Sequence, residues 1–160
     1  MMASPLLEQV RNQAQVLVPI LKAFREELGV ERANQIAWRA LADWRRRIVQ
    51  EQHASFSGSG RDRLAAGMVA SLPLIGDAID TNMLKTTDQV MEFDVTGCRF
   101  AEFFRELGEP ELGFALLCSK DDTAVEQIAQ GEVQLTRTGT IMQGAPRCDF
   151  RYALTKAGLS

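Results

Sequence analysis

Three thiols and the charged residues beside them hold most of the reactive chemistry in this sequence. Cys98 follows Asp94-Val95-Thr96-Gly97 at an expected helix start, where backbone N–H groups and the helix dipole favour a thiolate. Cys118 closes the apolar run Leu112 to Leu117 and is followed by Ser119-Lys120-Asp121-Asp122. There Lys120 would lower the thiol pKa, while the two aspartates would raise it or serve as a general base. Cys148 stands at an expected turn-to-strand junction, between Arg147 and Asp149-Phe150-Arg151. Any one of these thiols is more often a small buried hydrophobe than a reactive group, so residue types alone leave their roles open.

Other chemistries have weaker support. The sole imidazole, His53, lies at a polar helix end before a Ser-Gly break and is expected at the surface. A Ser-His-Asp or Cys-His relay therefore has one badly placed base. Zinc held by Cys98, Cys118, Cys148 and an aspartate would lack the short Cys spacings that mark such sites, so neither metal nor cofactor is expected. No glycine-rich phosphate loop or dinucleotide fingerprint occurs. The formal net charge is -3, and Arg45-Arg46-Arg47 reads as a solvated helix face, so no nucleic-acid partner is expected. No apolar run approaches the roughly 20 residues of a membrane span. The opening Met1-Met2-Ala3-Ser4-Pro5 lacks the basic region and cleavage site of a signal peptide. Three widely spaced cysteines, an odd number, predict reduced thiols in the cytoplasm.

The elements that must position these residues divide the chain in two. Its 160 residues suit a single domain, 1–160, with a helical part at 4–72 and an α+β part at 88–155. Ser4 and Pro5 start a helix whose apolar stripe runs through Leu6, Val10, Ala14, Leu17, Leu21, Phe24 and Leu28 to Gly29, with Pro19 expected to kink or divide it. A second stripe takes in Val30, Ala33, Ala37, Leu41, Trp44 and Ile48; Trp38 and Trp44 suit either core or a helix-mediated dimer contact. After the break at Ser57-Gly58-Ser59-Gly60, a short helix runs from about Arg61 to Leu72 and ends at Pro73. Leu74 to Thr87 reads as loop plus partial helix.

Val90 to Val95 has the composition of a strand, and Thr96 is expected to cap a helix carrying Phe100, Phe103, Phe104 and Leu107. Glu109-Pro110 starts a helix to about Cys118, and Asp121 to Ala129 is helical. Strands follow at Val133–Thr138, Thr140–Met142 and Cys148–Leu154, with Gly144-Ala145-Pro146 as a turn. Helices first, then strands interrupted by helices, predict an α+β fold: N-terminal amphipathic helices packed on a small antiparallel sheet with interspersed helices.

Several of these segments, read together, resemble one family. Phe93-Asp94-Val95-Thr96-Gly97-Cys98-Arg99-Phe100-Ala101, Leu107-Gly108-Glu109-Pro110-Glu111-Leu112-Gly113 with Cys118-Ser119-Lys120-Asp121, and Arg137-Thr138-Gly139-Thr140-Ile141-Met142-Gln143-Gly144 with Cys148-Asp149-Phe150-Arg151 are similar to segments of the L-2-amino-thiazoline-4-carboxylic acid hydrolases. The resemblance covers about residues 90 to 152. It implies hydrolytic opening of a small cyclic amidine- or isothiourea-type ring: water attacks C2, the ring C–S bond breaks, and an N-carbamoyl cysteine results.

On that basis Cys118, Asp121 and Cys148 are the catalytic candidates. Either Cys118 attacks C2 as a thiolate or Asp121 activates the water. Arg151 or Arg137 would pair with the substrate carboxylate, and Thr140 and Cys98 would complete the substrate-binding set. The expected partner is a small-molecule substrate, with a homo-oligomer open. A weaker resemblance, carried by Gly144, Cys148 and Phe150, is to vinyl-reductase-like ligand-binding domains, some of which hold zinc through cysteines. Thr140 stands about where such a domain would have another thiol. That likeness implies a non-enzymatic small-molecule sensor; a scaffold without chemistry is the third reading.

Overall fold

The computed structural model describes residues 3–160; Met1 and Met2, where the stretch read for a signal peptide begins, lie outside them. The first helix, α1 (Pro5–Leu28), begins as its sequence dictates: the Ser4 hydroxyl accepts from the Leu7 N–H and Pro5 occupies the first turn. It buries Leu7, Val10, Ala14, Val18 and Leu21, while Phe24 and Leu28 overhang into solvent. Pro19 does not divide it. Pro19 and Gln15, whose carbonyl loses its N–H donor, are both exposed, so water can take the donor's place.

Gly29, at φ 81°, turns the chain into α2 (Val30–His53). The Arg25 guanidinium at the end of α1 donates to both oxygens of the buried Glu109 carboxylate, at 2.6 and 3.1 Å, and to Asn34 at 2.9 Å. This ion pair ties the helical hairpin to the second half of the chain. A Ser59–Asp62 capping box starts α3 (Gly60–Ile75), which continues two residues past Pro73 instead of ending there. His53, expected at the surface, is buried: its Nδ1 lies 2.8 Å from the Val49 carbonyl, and its ring packs where Gly67 has no side chain.

The sheet has four antiparallel strands in the order β1-β2-β4-β3, and the fold is α+β as expected. Strand β1 (Ile79–Thr86) occupies much of the segment read as loop plus partial helix. All but Ile79 are exposed in this edge strand, so no burial-driven alternation marked it in the sequence. Strand β2 (Val90–Cys98) runs longer than expected and through Thr96, so Cys98 rather than Thr96 caps α4 (Arg99–Glu106). Strand β3 (Val133–Thr136) is two residues shorter than expected. Thr140–Met142 is no strand: Thr140 caps a 3-10 turn, Ile141–Gln143, by accepting from the Gln143 N–H. Strand β4 (Cys148–Leu154) matches the expected span.

Between α4 and β3 a longer helical stretch changes character midway. It comprises α5 (Pro110–Gly113), a π-turn at Phe114–Cys118 and α6 (Ser119–Ile128). One buried cluster joins these elements to α1, α2, α3 and the inner face of the sheet. On that face Phe93 stacks on Phe150 at 4.8 Å, and Cys148, Phe150 and Tyr152 alternate inward. Among the described residues, no helix is long and apolar enough to cross a membrane.

Candidate functional site

The π-turn and the loop after β3 build the site together. A π-turn shifts the helical hydrogen bonds by one residue and frees carbonyls to meet other donors. Here side chains supply them. The Ser119 hydroxyl lies 3.0 Å from the Phe114 carbonyl and 3.3 Å from that of Ala115, and Arg45 Nη1 donates to Ala115 at 2.7 Å. Arg45 Nε also donates to Thr123, whose hydroxyl donates to the Ser119 carbonyl. Arg137 Nη2 donates to the Cys118 carbonyl at 2.9 Å.

Arg137 is the hub. Its side chain is 6% exposed, wedged between the π-turn and the sheet with its guanidinium carbon 5.0 Å from the centre of the Phe150 ring. It binds Asp121 at 3.2 Å and Asp122 at 2.7 Å. Asp149, on the outer face of β4, fixes the neighbouring loop by accepting from the Thr138 N–H and hydroxyl and from the Gly139 N–H. Burial pulls the Asp149 carboxyl pKa up, but these hydrogen bonds outweigh it and hold it below the ordinary range.

All three thiols are disfavoured as thiolates, and burial is the main cause in each. Cys118 is pushed up to about 12, with Arg137 pulling the other way and Cys98, Cys148 and Asp121 adding to the rise. Its counter-pulling cation is therefore Arg137, not the expected Lys120, whose own pKa burial lowers. Cys98 is raised by burial although its sulfur accepts from the Ala101 N–H, so the helix start does not give the expected thiolate. Cys148 is raised by burial while accepting from the Ile141 N–H at 3.2 Å. Asp121 is pushed up to about 6, by burial first, against the charge of Arg137. Its side chain remains 41% exposed.

The expected residues thus divide. Cys98, Cys118, Cys148, Asp121 and Arg137 share one electrostatic neighbourhood. Arg137 and Thr140 line a hollow of about 160 Å³ together with Asp122, Thr138, Gly139 and Gln143. Arg151 is elsewhere: next to the inward Phe150 and Tyr152 on β4, it projects from the outer face and binds Asp94 at 2.9 Å and the Phe93 carbonyl at 3.0 Å.

Sequence reasoning missed a wider cleft of about 770 Å³ abutting this hollow, the two sharing Phe114 and Gln143. Trp38 and Arg45 of α2, Arg105 of α4 and Met142 line it. Arg46 and Arg47 are exposed as expected of a solvated face, but Arg45 departs from that expectation and turns inward to the π-turn. No residue group fit to hold a metal ion occurs among the described residues.

A helical hairpin on an antiparallel sheet, with thiols, acids and a buried guanidinium at the helix–sheet seam, defines an α+β protein. A family model described as L-2-amino-thiazoline-4-carboxylic acid hydrolase matches residues 9–152, and the chain belongs to that family. Among curated proteins, none matches. A solved structure of the phenol-responsive sensory domain of the transcription activator PoxR with phenol is similar at 15% identity and a TM-score of 0.45, covering 96% of this chain and 76% of that one.

Proposed function

We propose that the protein hydrolyses a small cyclic amidine- or isothiourea-type ring, the reaction its family description names, with Asp121 activating the water. The Asp121 carboxyl supports this reading: raised to about 6 on a side chain that is 41% exposed, it suits a base working near neutrality. Asp121 takes a proton from water as the oxygen bonds to C2 of the protonated amidine and the C2=N π pair moves onto the ring nitrogen. The ring C–S bond then breaks as the C2 hydroxyl becomes the carbamoyl carbonyl and gives its proton to solvent, and the sulfur leaves with the proton returned by Asp121. Cys118, held as a thiol by burial, is not the nucleophile, and Cys98, Cys118 and Cys148 line neither hollow. Arg137 holds Asp121 in place, and Thr140 faces the small hollow.

The test is incubation with 2-aminothiazoline-4-carboxylate and related cyclic isothioureas and amidines, followed by mass spectrometry for the gain of one water. The parent chain should turn over at least one of them and Asp121→Asn should not; equal turnover by both removes Asp121 as the base. A sensor without turnover is the second reading, favoured by one feature. The wide cleft opens beside Asp121 rather than onto it, since neither hollow counts Asp121 in its lining. Saturable binding with no gain of water across the whole panel would select it.

A further inference from the structure

We propose that the wide cleft between α2, α4 and the π-turn binds the planar, singly negative part of the ligand, with Arg105 and Arg45 reading its acid group. For the identity of the reacting end this rests on the hydrolase reading; for the cleft itself it does not.

Size separates the two hollows. Small-molecule pockets span about 300–1,000 Å³. The cleft, at about 770 Å³, falls inside that range, whereas the hollow beside Arg137, at about 160 Å³, is too small to hold more than one end of a ligand. Both are bounded by Phe114 and Gln143, so a ligand seated in the cleft has its far end next to the smaller hollow.

Charge then selects among the arginines. Arg137 is paired with the carboxylates of Asp121 and Asp122 and also donates to the Cys118 carbonyl, and Arg151 is bound to Asp94 on the outer face. The cleft arginines are not so committed. Arg105 uses only Nε, on the Ala101 carbonyl; Arg45 uses Nε and Nη1, on Thr123 and the Ala115 carbonyl. Both Nη groups of Arg105 and Nη2 of Arg45 have no hydrogen-bond partner among the described residues, and neither guanidinium is paired with a carboxylate. Two unpaired guanidinium groups on one cleft suit a carboxylate. Glu111, exposed on the same lining, is its one acid; two positive charges less one negative leave a single net positive charge, matched to a monoanion. Trp38, Phe114 and Met142 supply the apolar and aromatic surface that a flat ring covers.

The test compares benzoate with its neutral isostere benzamide by calorimetric titration of the full chain. Benzoate should bind about ten-fold or more tightly than benzamide, as expected for a charge-assisted hydrogen bond. Arg105→Gln should weaken benzoate about ten-fold and leave benzamide within about two-fold, with Arg105→Lys in between. Arg105 is exposed on α4, so its replacement leaves the core intact. Equal affinity for the two probes, absence of saturable benzoate binding, or an Arg105→Gln variant that binds benzoate like the parent would each overturn the proposal. Turnover is read separately: Asp121→Asn should keep the preference for benzoate. Failure of the ring-opening assay alone leaves the cleft standing, and failure of the benzoate preference alone leaves the hydrolase reading standing.

Discussion

Replacing Arg137 with methionine keeps the length and apolar stem of the side chain and removes its guanidinium. The Cys118 carbonyl then loses the donor at 2.9 Å, which costs about 1–2 kcal/mol if no water replaces it. The contact with the Phe150 ring accounts for about 1 kcal/mol more. Asp121 and Asp122 are 41% and 56% exposed, so solvent screens each ion pair and its loss adds only about 0.5 kcal/mol. The total is about 3–4 kcal/mol, or about 6–16 °C in melting temperature for a chain of this size. The loss should also depend on pH. Asp121 has a folded pKa near 6, above its unfolded value, so its protonated form favours the folded state. That contribution is whole below the unfolded pKa of about 3.9 and is lost as pH rises through the folded one. Arg137 pulls the folded pKa down, and without it the carboxyl titrates higher still. The variant's deficit should therefore be larger at pH 8 than at pH 5, as read by thermal melts at both. An equal deficit at the two pH values, or a drop below about 2 °C, would refute this account of Arg137.

Arg25→Ala should destabilise the chain by about 3 kcal/mol in urea titration, because it strands the Glu109 carboxylate, which is only 5% exposed. Gly67→Ala places a methyl group in the His53 imidazole and should cost about 1–3 kcal/mol, measured the same way. Alkylation by iodoacetamide at neutral pH should be slower for all three thiols than for a free cysteine peptide, with Cys118 far below the peptide; rapid loss of Cys118 would contradict its raised pKa. Cys118→Ser should keep turnover of the parent's order, and collapse to the Asp121→Asn level would make the thiol the nucleophile.

The α+β plan was legible because its amphipathic stripes and the alternation of Phe150, Tyr152 and Leu154 record burial directly. The edge strand β1 was illegible for the converse reason: with seven of its eight residues exposed, its identity comes from backbone pairing with β2, which leaves little trace in residue type. His53 shows a related limit. Its burial depends on a missing side chain at Gly67, fourteen residues away and on another helix. At the candidate site the motif residues Cys98, Cys118, Cys148, Asp121 and Arg137 fall in one neighbourhood, yet the arginines could not be sorted from sequence. Arg137 and Arg151 are both spent on aspartates, while the cleft presents Arg45, concealed in a basic run, and Arg105, which has no neighbouring signal.

The π-turn gives the chain a surplus residue between Phe114 and Cys118. Such turns absorb an insertion locally, so deleting one residue there should straighten the stretch while leaving Leu112 and Ile128 packed as before. The deletion would instead reclaim the carbonyls that Arg45 and Arg137 now bind, returning them to ordinary helical bonds. Shortened relatives should accordingly keep the scaffold but carry smaller side chains in place of those two arginines, and the length of this one segment would sort the family into chains with and without an arginine-built seam.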